Sequence, residues 1–525
     1  MTLAIAIPTS CPILIKIGDM AQYYNLEDYR RKQRTLIFVL QVAARQLYPD
    51  YAFRVRYDLP RGYYCELFHP SPDGHHRDEV RVMRMSDILA LKERMKELNA
   101  QALPITSELV FKSEAVAYFQ SHNQPQKAEL IASLRAESCQ LFYLCGVADT
   151  MHGSMLDNTS RMGSFDLNAC GDGFCLRYET PNGDGLLPNL SQGKIANVLK
   201  HHSQWCDQLG VKGVGSLNRL MREEEKAIEI INLCEARHEA MFTLVAEQIR
   251  ARRDDVRVVF IAGPSSSGKT STSLRLAQQC RVAGLNPKVI ELDNYFVNRE
   301  NTPRDENGEY DFESLGAMRI GLLNDQLAAL FAGEEVDIPR FDFKQGRGFF
   351  EGNKLRLEED DILIMEGIHA LNPEMVPGID ASKIFRVYAS ALTSLNMDEN
   401  VSFSTTDNRL LRRMVRDNRV RSTNPEETLM RWQSVRRGEN KNIFPYQENA
   451  DAYINSALIY EIPLLKNYVE PLLRKIEESS PAWPEAQRLL SFLSYLAALP
   501  PKVAAAIPPT SIIREFIGGQ MLVRP

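Results

Sequence analysis

The octapeptide Gly263-Pro264-Ser265-Ser266-Ser267-Gly268-Lys269-Thr270 constrains the fold more than any other part of this chain. It fits G-x-x-x-x-G-K-[ST] and follows a nearly continuous apolar run, Val256 to Ile261. A helix-spaced segment comes next, with Leu274, Ala277 and Cys280 on one face and Gly284 as a stop. Strand, glycine loop and helix in that order predict a phosphate cradle. Glycines let the backbone curl so that successive N–H groups face phosphate oxygens, and the helix N-terminus adds partial positive charge. Gly263, Ser265, Ser266, Ser267, Gly268, Lys269, Thr270 and Ser271 would hold the nucleotide phosphates. Lys269 would meet the outer phosphates, and the Thr270 hydroxyl could ligate Mg²⁺.

Such a loop needs a parallel sheet behind it, and two further apolar runs supply candidates: Val289-Ile290-Glu291-Leu292 and Ile362-Leu363-Ile364-Met365. The 525 residues predict several domains. Residues 1–190 read as α+β, with strand-like runs Phe53–Tyr57, Tyr63–Phe68 and Phe174–Tyr178 among helical stretches Leu36–Leu47, Ile88–Leu98 and Lys112–Phe119. The turn-rich Pro181-Asn182-Gly183-Asp184-Gly185 closes that region. Residues 191–250 read as a helical connector carrying Leu217, Leu220, Ile228, Ile231, Leu233, Met241 and Leu244. Residues 251–478 read as the α/β phosphate-loop domain with its parallel sheet, and 479–525 as a Pro-rich C-terminal tail.

What the phosphates are used for is carried by the strand ends. The second strand ends in Leu292-Asp293-Asn294, which puts a carboxylate at the carboxyl edge of the sheet, where α/β folds bind ligands. Asp293 could accept a proton from a hydroxyl attacking the terminal phosphate. The third strand ends in Met365-Glu366-Gly367, and Glu366 would share a metal with Thr270. His369 is expected to be structural. Downstream, Arg409, Arg412, Arg413 and Arg416 lie at i, i+3, i+4 and i+7, one helical face that could close over phosphates as a lid. No NKxD-type base-reading motif occurs, which turns the expectation from GTPases toward kinases.

Residues 256–478 resemble the uridine kinase/phosphoribulokinase family. The shared landmarks are the phosphate loop, the Asp293 segment, Tyr310-Asp311-Phe312, Ile338-Pro339-Arg340-Phe341-Asp342-Phe343, Glu366-Gly367-Ile368 and Asp407-x-Arg409-Leu410-x-Arg412-Arg413. The resemblance implies Asp293 as catalytic base, with Lys269, Arg412 and Arg413 stabilising the transferring group. It also implies Thr270 and Glu366 on Mg²⁺, ATP on the loop, and Asp311, Phe341, Phe343 and Arg409 around the acceptor. Two departures stand out. Phe341 replaces the family's Tyr, and Lys344-Gln345-Gly346-Arg347 stands where the family has a base-contacting His. Losing a hydroxyl and an imidazole weakens discrimination of a base edge.

Residues of about 34–180 resemble the second additional, editing-type domain of threonyl- and alanyl-tRNA synthetases. The matching pieces are Ala44-Arg45-Gln46-Leu47-Tyr48-Pro49, Gly62-Tyr63-Tyr64-Cys65-Glu66, Lys127-Ala128-Glu129-Leu130-Ile131 and Leu144-Cys145-Gly146 through His152-Gly153. The family's H-x-x-x-H is absent, since the helix reads Arg34-Thr35-Leu36-Ile37-Phe38-Val39, so no editing hydrolysis through that metal pair is expected. The three-part order, with Asn455-Ser456-Ala457-Leu458 and a closing I-x-R-E-F-I-G-G, resembles a group of bacterial uridine kinase-like proteins.

Nine scattered cysteines without a CxxC pair predict reduced thiols rather than zinc or disulfides. A net charge of −6 argues against a nucleic-acid partner, although Arg77–Arg84 could form a local basic patch. No apolar run is long enough to span a bilayer, and Met1 to Ile15 lacks a basic leader region, so a cytoplasmic protein is expected. The leading expectation is ATP-dependent phosphorylation of a small-molecule hydroxyl, a nucleoside such as uridine or cytidine first. A kinase of another polyol or sugar phosphate is the alternative, and an RNA-associated regulatory NTPase is a third. Oligomerisation is left open.

Overall fold

The computed structural model describes residues 17–59, 62–70, 78–180, 185–186, 193–305, 308 and 310–524, with side chains from residue 26 onward. The start Met1–Ile15, Arg77 and the turn residues Pro181–Asp184 lie outside the described residues.

The N-terminal half is α+β, as its patterning predicts. Strands Ala52–Leu59, Gly62–His69, Gly173–Tyr178 and Phe165–Cys170 pair antiparallel in that spatial order. Helix α1 (Ile17–Leu47) packs on them through Phe38, Leu40 and Ala43, against Val55, Leu67 and Phe174. A second antiparallel sheet, Thr106–Phe111, Ser138–Leu144 and Val147–Asp149, lies beside it. Cys145 sits exposed in the turn of this sheet, while His152 is bound to Asp398, 2.5 Å away, so the two residues of the synthetase-like segment serve separate local structures.

The C-terminal half is built on five parallel strands: β1 (Val258–Ala262), β2 (Asn286–Glu291), β3 (Asp361–Glu366), β4 (Ile384–Ser390) and β5 (Ala452–Asn455). Their spatial order is β2-β3-β1-β4-β5. Alternation along β1 explains the two-faced core. Val259 and Ile261 pack with Leu274, Leu276 and Ala277, while Val258 and Phe260 pack with Leu323, Leu327 and Leu330 on the other face. Sequence reading found β1, β2 and β3. It passed over β4 and β5, whose polar and aromatic residues break the apolar run.

Two expected boundaries change. The helices of the connector, Gly193–Gln208, Val214–Arg222 and α2 (Glu224–Arg250), do not form a separate link: Leu217, Ile231, Phe242 and Val245 lie in the same core as β1. Leu233 and Leu244, expected on the apolar face, are exposed, and Cys234 and Val245 take that face instead. The segment 479–525 is likewise not an appended tail. Leu489, Leu493, Ile507, Ile512, Ile513 and Phe516 are buried in that core.

The halves meet at a buried turn, Asn396–Asn400. The Val55 N–H donates to the Glu399 carbonyl (2.8 Å), and the Asn396 amide donates to the Val55 carbonyl (2.9 Å). Glu399 accepts the N–H groups of Gln126 and Lys127 at 2.8 and 3.0 Å. Lys127, fully buried, pairs with Asp149 and lies 3.7 Å from Asp398. Buried charges persist only when compensated in this way, so the network fixes how the halves dock.

Candidate active site

Parallel strands end in register, and that places the chemistry. Glu366 at the end of β3 lies opposite Ile261 of β1 on one side and Glu291 of β2 on the other. The phosphate loop leaves β1 at that edge and enters α3 (Lys269–Val282). The loop is held tightly. A Cβ at Gly263 would lie 1.9 Å from the Ala389 carbonyl oxygen, so only glycine fits beside β4. Gly268 caps α3 in the left-handed region (φ 83°), and Ser266 shares that region (φ 60°).

Thr270 Oγ1 donates to Glu366 Oε1 at 2.6 Å. Glu366 is buried, and burial pushes its carboxyl up to about 8. Asp293 and Glu291 add to the rise, while Lys269 and the Thr270 hydroxyl oppose it. Asp293 stands on a short 3₁₀ turn, Leu292–Tyr295, that continues directly from β2. The site is thus a knot of hard oxygen donors and one lysine, short of positive charge. A hydroxyl beside an under-neutralised carboxylate suits Mg²⁺. His369 is buried, and burial holds it down to about 4, in its neutral form.

The arginine face divides. On α4 (Thr405–Val420), Arg413 Nη1 donates to Ser265 Oγ at 2.7 Å. Arg413, Arg416 and Arg421 gather around Asp417 at 3.3, 2.9 and 3.6 Å. Arg409 and Arg412 are not lid residues. Arg409 is 1% exposed and grips Glu439 of α5 (Pro425–Asn442) with both terminal nitrogens, and it also donates to the Ser265 carbonyl (3.0 Å). Arg412 is wholly buried between Glu461 and the Ser456 carbonyl. Its neighbour Ser456 donates to the Ser267 carbonyl. Both arginines brace the loop, Arg409 through the Ser265 carbonyl and Arg412 through Ser456. Their helical spacing was legible; which carboxylates awaited them was not, since Glu439 and Glu461 lie 30 and 49 residues downstream.

The expected acceptor side assembles in part. Phe341 and Phe343 come together (ring centroids 5.1 Å) and Phe296 joins them at 5.8 and 6.4 Å. The Phe341 N–H donates to the Asn294 side chain beside Asp293 (3.3 Å), which ties this aromatic group to the base candidate. Arg421 lies over the Phe343 ring, 5.4 Å from its centroid. Asp311 spends one carboxylate oxygen on the Glu313 N–H in a turn (3.2 Å).

Glu313 is a residue that sequence reading missed. Burial raises it to about 7, with Glu439 and Asp293 adding and Arg413 and Lys269 opposing, so it is within electrostatic reach of both the loop and Asp293. A Cβ at Gly438 would fall 2.3 Å from its Cβ, so glycine at 438 makes room for it. Its position in the motif, two residues after Asp311, carried no signal by itself. Ser271 was expected to face phosphate. Its N–H and hydroxyl instead donate to the Glu515 carboxylate at 3.1 and 2.6 Å.

Residues 258–462 match the model of the family described as "Phosphoribulokinase / Uridine kinase family". A uridine kinase of Schizosaccharomyces pombe is 35% identical over 155 residues, 29% of this chain and 33% of that protein. A uridine kinase of Deinococcus deserti is 27% identical over 198 residues, 38% of this chain and 86% of that protein. A threonine–tRNA ligase of Methylobacillus flagellatus is 28% identical over 130 residues, 25% of this chain and 19% of that protein. The chain spans a third to a half of the length of the first curated relatives it matches.

Proposed function

We propose that the protein transfers the terminal phosphoryl group of ATP to a hydroxyl of a nucleoside, a reading supported by the match of residues 258–462 to the phosphoribulokinase/uridine kinase family. The observation that carries this reading is the alignment of the phosphate loop, Glu366 and Asp293 along one sheet edge. ATP lies along the loop with its outer phosphates toward Lys269. Asp293 takes the proton of the acceptor hydroxyl while its oxygen bonds to the γ-phosphorus. The bond to the bridging oxygen breaks, and ADP leaves with that electron pair. Lys269 and Arg413 offset the charge spread over the transferring group. Thr270 and Glu366 would hold Mg²⁺, which supplies charge neutralisation on the phosphates. Asp311, Phe341 and Phe343 flank the acceptor.

The test is Asp293→Asn, assayed with γ-labelled ATP and a library of nucleosides and sugar phosphates. A loss of about 10²–10⁴ in turnover in a folded protein is expected. Unchanged turnover removes Asp293 from the mechanism.

One observation favours a second reading, a sugar-phosphate acceptor. Arg421 covers Phe343, and Lys344 and Arg347 follow it, so the aromatic group carries a cationic rim suited to an anionic substrate. Labelling of a sugar phosphate but not of uridine in the same library decides for it.

A further inference from the structure

Between the N-terminal half and α5 lies a cavity of about 1030 Å³. Asp293, Thr270, Glu366, Asp311, Phe341 and Phe343 do not line it. The phosphate loop contributes Pro264 alone, and α4 contributes Thr405, Thr406, Asp407 and Arg409. Its size is at the upper end of pockets that enclose small molecules, about 300–1,000 Å³, and well beyond what an inorganic ion needs.

The walls differ in chemistry. On the N-terminal side stand Tyr29, Tyr63 and Tyr178, with Tyr178 lying 5.2 Å from Tyr63 and 6.1 Å from Tyr29 between ring centroids. Such a cluster offers faces and edges to a planar ring. The opposite wall is one face of α5, where Gln433, Arg436, Arg437, Asn440 and Lys441 recur at helical spacing.

Charge pairing leaves that wall positive. Arg30 and Arg488 are matched by Glu485 and Asp407, and Arg34 by Glu27. Arg409 and Arg436 share the single carboxylate of Glu439. Among the described residues Lys441 has no carboxylate within ion-pair distance. Arg437 lies 3.7 Å from Asp305, and Asp58, also lining the cavity, is pushed up to about 7 by burial and so is partly neutral. Three buried polar atoms on cavity-lining residues also lack partners among the described residues: Ser402 Oγ, Thr405 Oγ1 and Nε of Arg409, a side chain 1% exposed. Buried polar groups are ordinarily satisfied, so orphans on a cavity wall mark places where a ligand or ordered water bonds.

We propose that this cavity binds a small anion carrying a planar ring, of nucleoside monophosphate size, and that its occupancy weakens nucleotide binding at the phosphate loop. The second half rests on the phosphotransferase reading. Glu439 accepts the Ser265 N–H (3.0 Å), an amide of the phosphate loop, and its negative charge is masked by Arg409 and Arg436. An anion that draws either arginine toward the cavity unmasks Glu439 beside the loop. The exposed charge then repels the phosphates of an incoming nucleotide.

The experiment titrates the full chain calorimetrically with AMP, adenosine and ribose 5-phosphate, in the wild type and in Lys269→Ala, Lys441→Glu and Tyr63→Ala. Lys269→Ala weakens binding at the loop, and Lys441 is exposed, so its replacement leaves the fold intact. AMP binding that survives Lys269→Ala and falls tenfold or more in Lys441→Glu and Tyr63→Ala is expected, with adenosine and ribose 5-phosphate at least tenfold weaker. No AMP binding, or binding lost in Lys269→Ala and unchanged in Lys441→Glu, overturns the site. Saturating AMP should raise the KM for ATP threefold or more in the wild type and not in Lys441→Glu. An unchanged KM with binding intact overturns the coupling. A chain that transfers no phosphoryl group at all refutes the phosphotransferase reading while leaving the calorimetric result to decide the site.

Discussion

Arg412 and Glu461 form an ion pair shut away from solvent, in which the guanidinium also donates to the Ser456 carbonyl at 2.7 Å, and Ser456 in turn holds the Ser267 carbonyl of the phosphate loop. Breaking a buried pair leaves an uncompensated charge. Arg412→Ala should therefore cost about 3–5 kcal/mol of stability by chemical denaturation. A variant of wild-type stability with lowered kcat would instead make Arg412 a lid residue.

Arg413 has the contrasting role. Its hydrogen bond to Ser265 Oγ places it on the loop itself. Arg413→Ala should lower kcat by about 10²–10³ with small change in stability, the usual cost of removing one group that stabilises developing charge. Turnover within twofold of wild type would count against that placement.

Glu366 makes a pH signature. Its folded pKa of about 8 lies above the ordinary carboxylate range, so the folded protein binds the extra proton. Its contribution to stability is complete below about pH 4.5 and is lost as pH rises through about 8. The difference in thermal midpoint, Glu366→Gln minus wild type, should therefore grow in favour of the variant between pH 5 and 8. A difference independent of pH would show that Glu366 ionises normally.

Glu515 competes for an anion position. Its carboxylate takes the Ser271 N–H in the first turn of α3, where a phosphate oxygen would be favoured by the helix terminus. Glu515→Gln removes that charge, and the KM for ATP should fall about threefold or more, a coupling on the order of 1 kcal/mol. A raised KM would mean that Glu515 supports the loop rather than competes with its ligand.

The domain boundary is testable as well. A fragment of residues 251–478 lacks Phe242, Val245, Ile512 and Phe516, all buried in the core that holds β1. It should be insoluble or lack a cooperative melt, whereas 191–525 should retain one. A cooperative, ATP-binding 251–478 would restore the boundary drawn from sequence.

Legibility followed the range of the interactions. The phosphate loop, its strand and its helix were readable because their signals are contiguous: Val258–Ala262 is apolar throughout, and Gly268 stands where only a left-handed cap fits. The N-terminal strands were readable for the same reason, and their observed limits enclose the expected runs. Side chains whose surroundings depend on a distant partner were not legible. Arg409 and Arg412 have the spacing of an open cationic face and the environment of core residues. Ser271 looked like a phosphate ligand because nothing local announces Glu515. Glu313 drew no attention because it sits in a turn and the room for it is made by Gly438, 125 residues downstream on α5.

The packing behind the phosphate loop has a consequence for synthesis. Ile512 lies against Gly268 from 244 positions downstream, with Ile513 and Phe516 buried in the same core. At about 5–20 residues per second the ribosome needs on the order of tens of seconds to deliver that support after the loop has emerged. The nascent loop waits unbraced through that interval, so the half of the molecule that handles nucleotide matures after translation has passed residue 516, while the N-terminal sheets can already be folded.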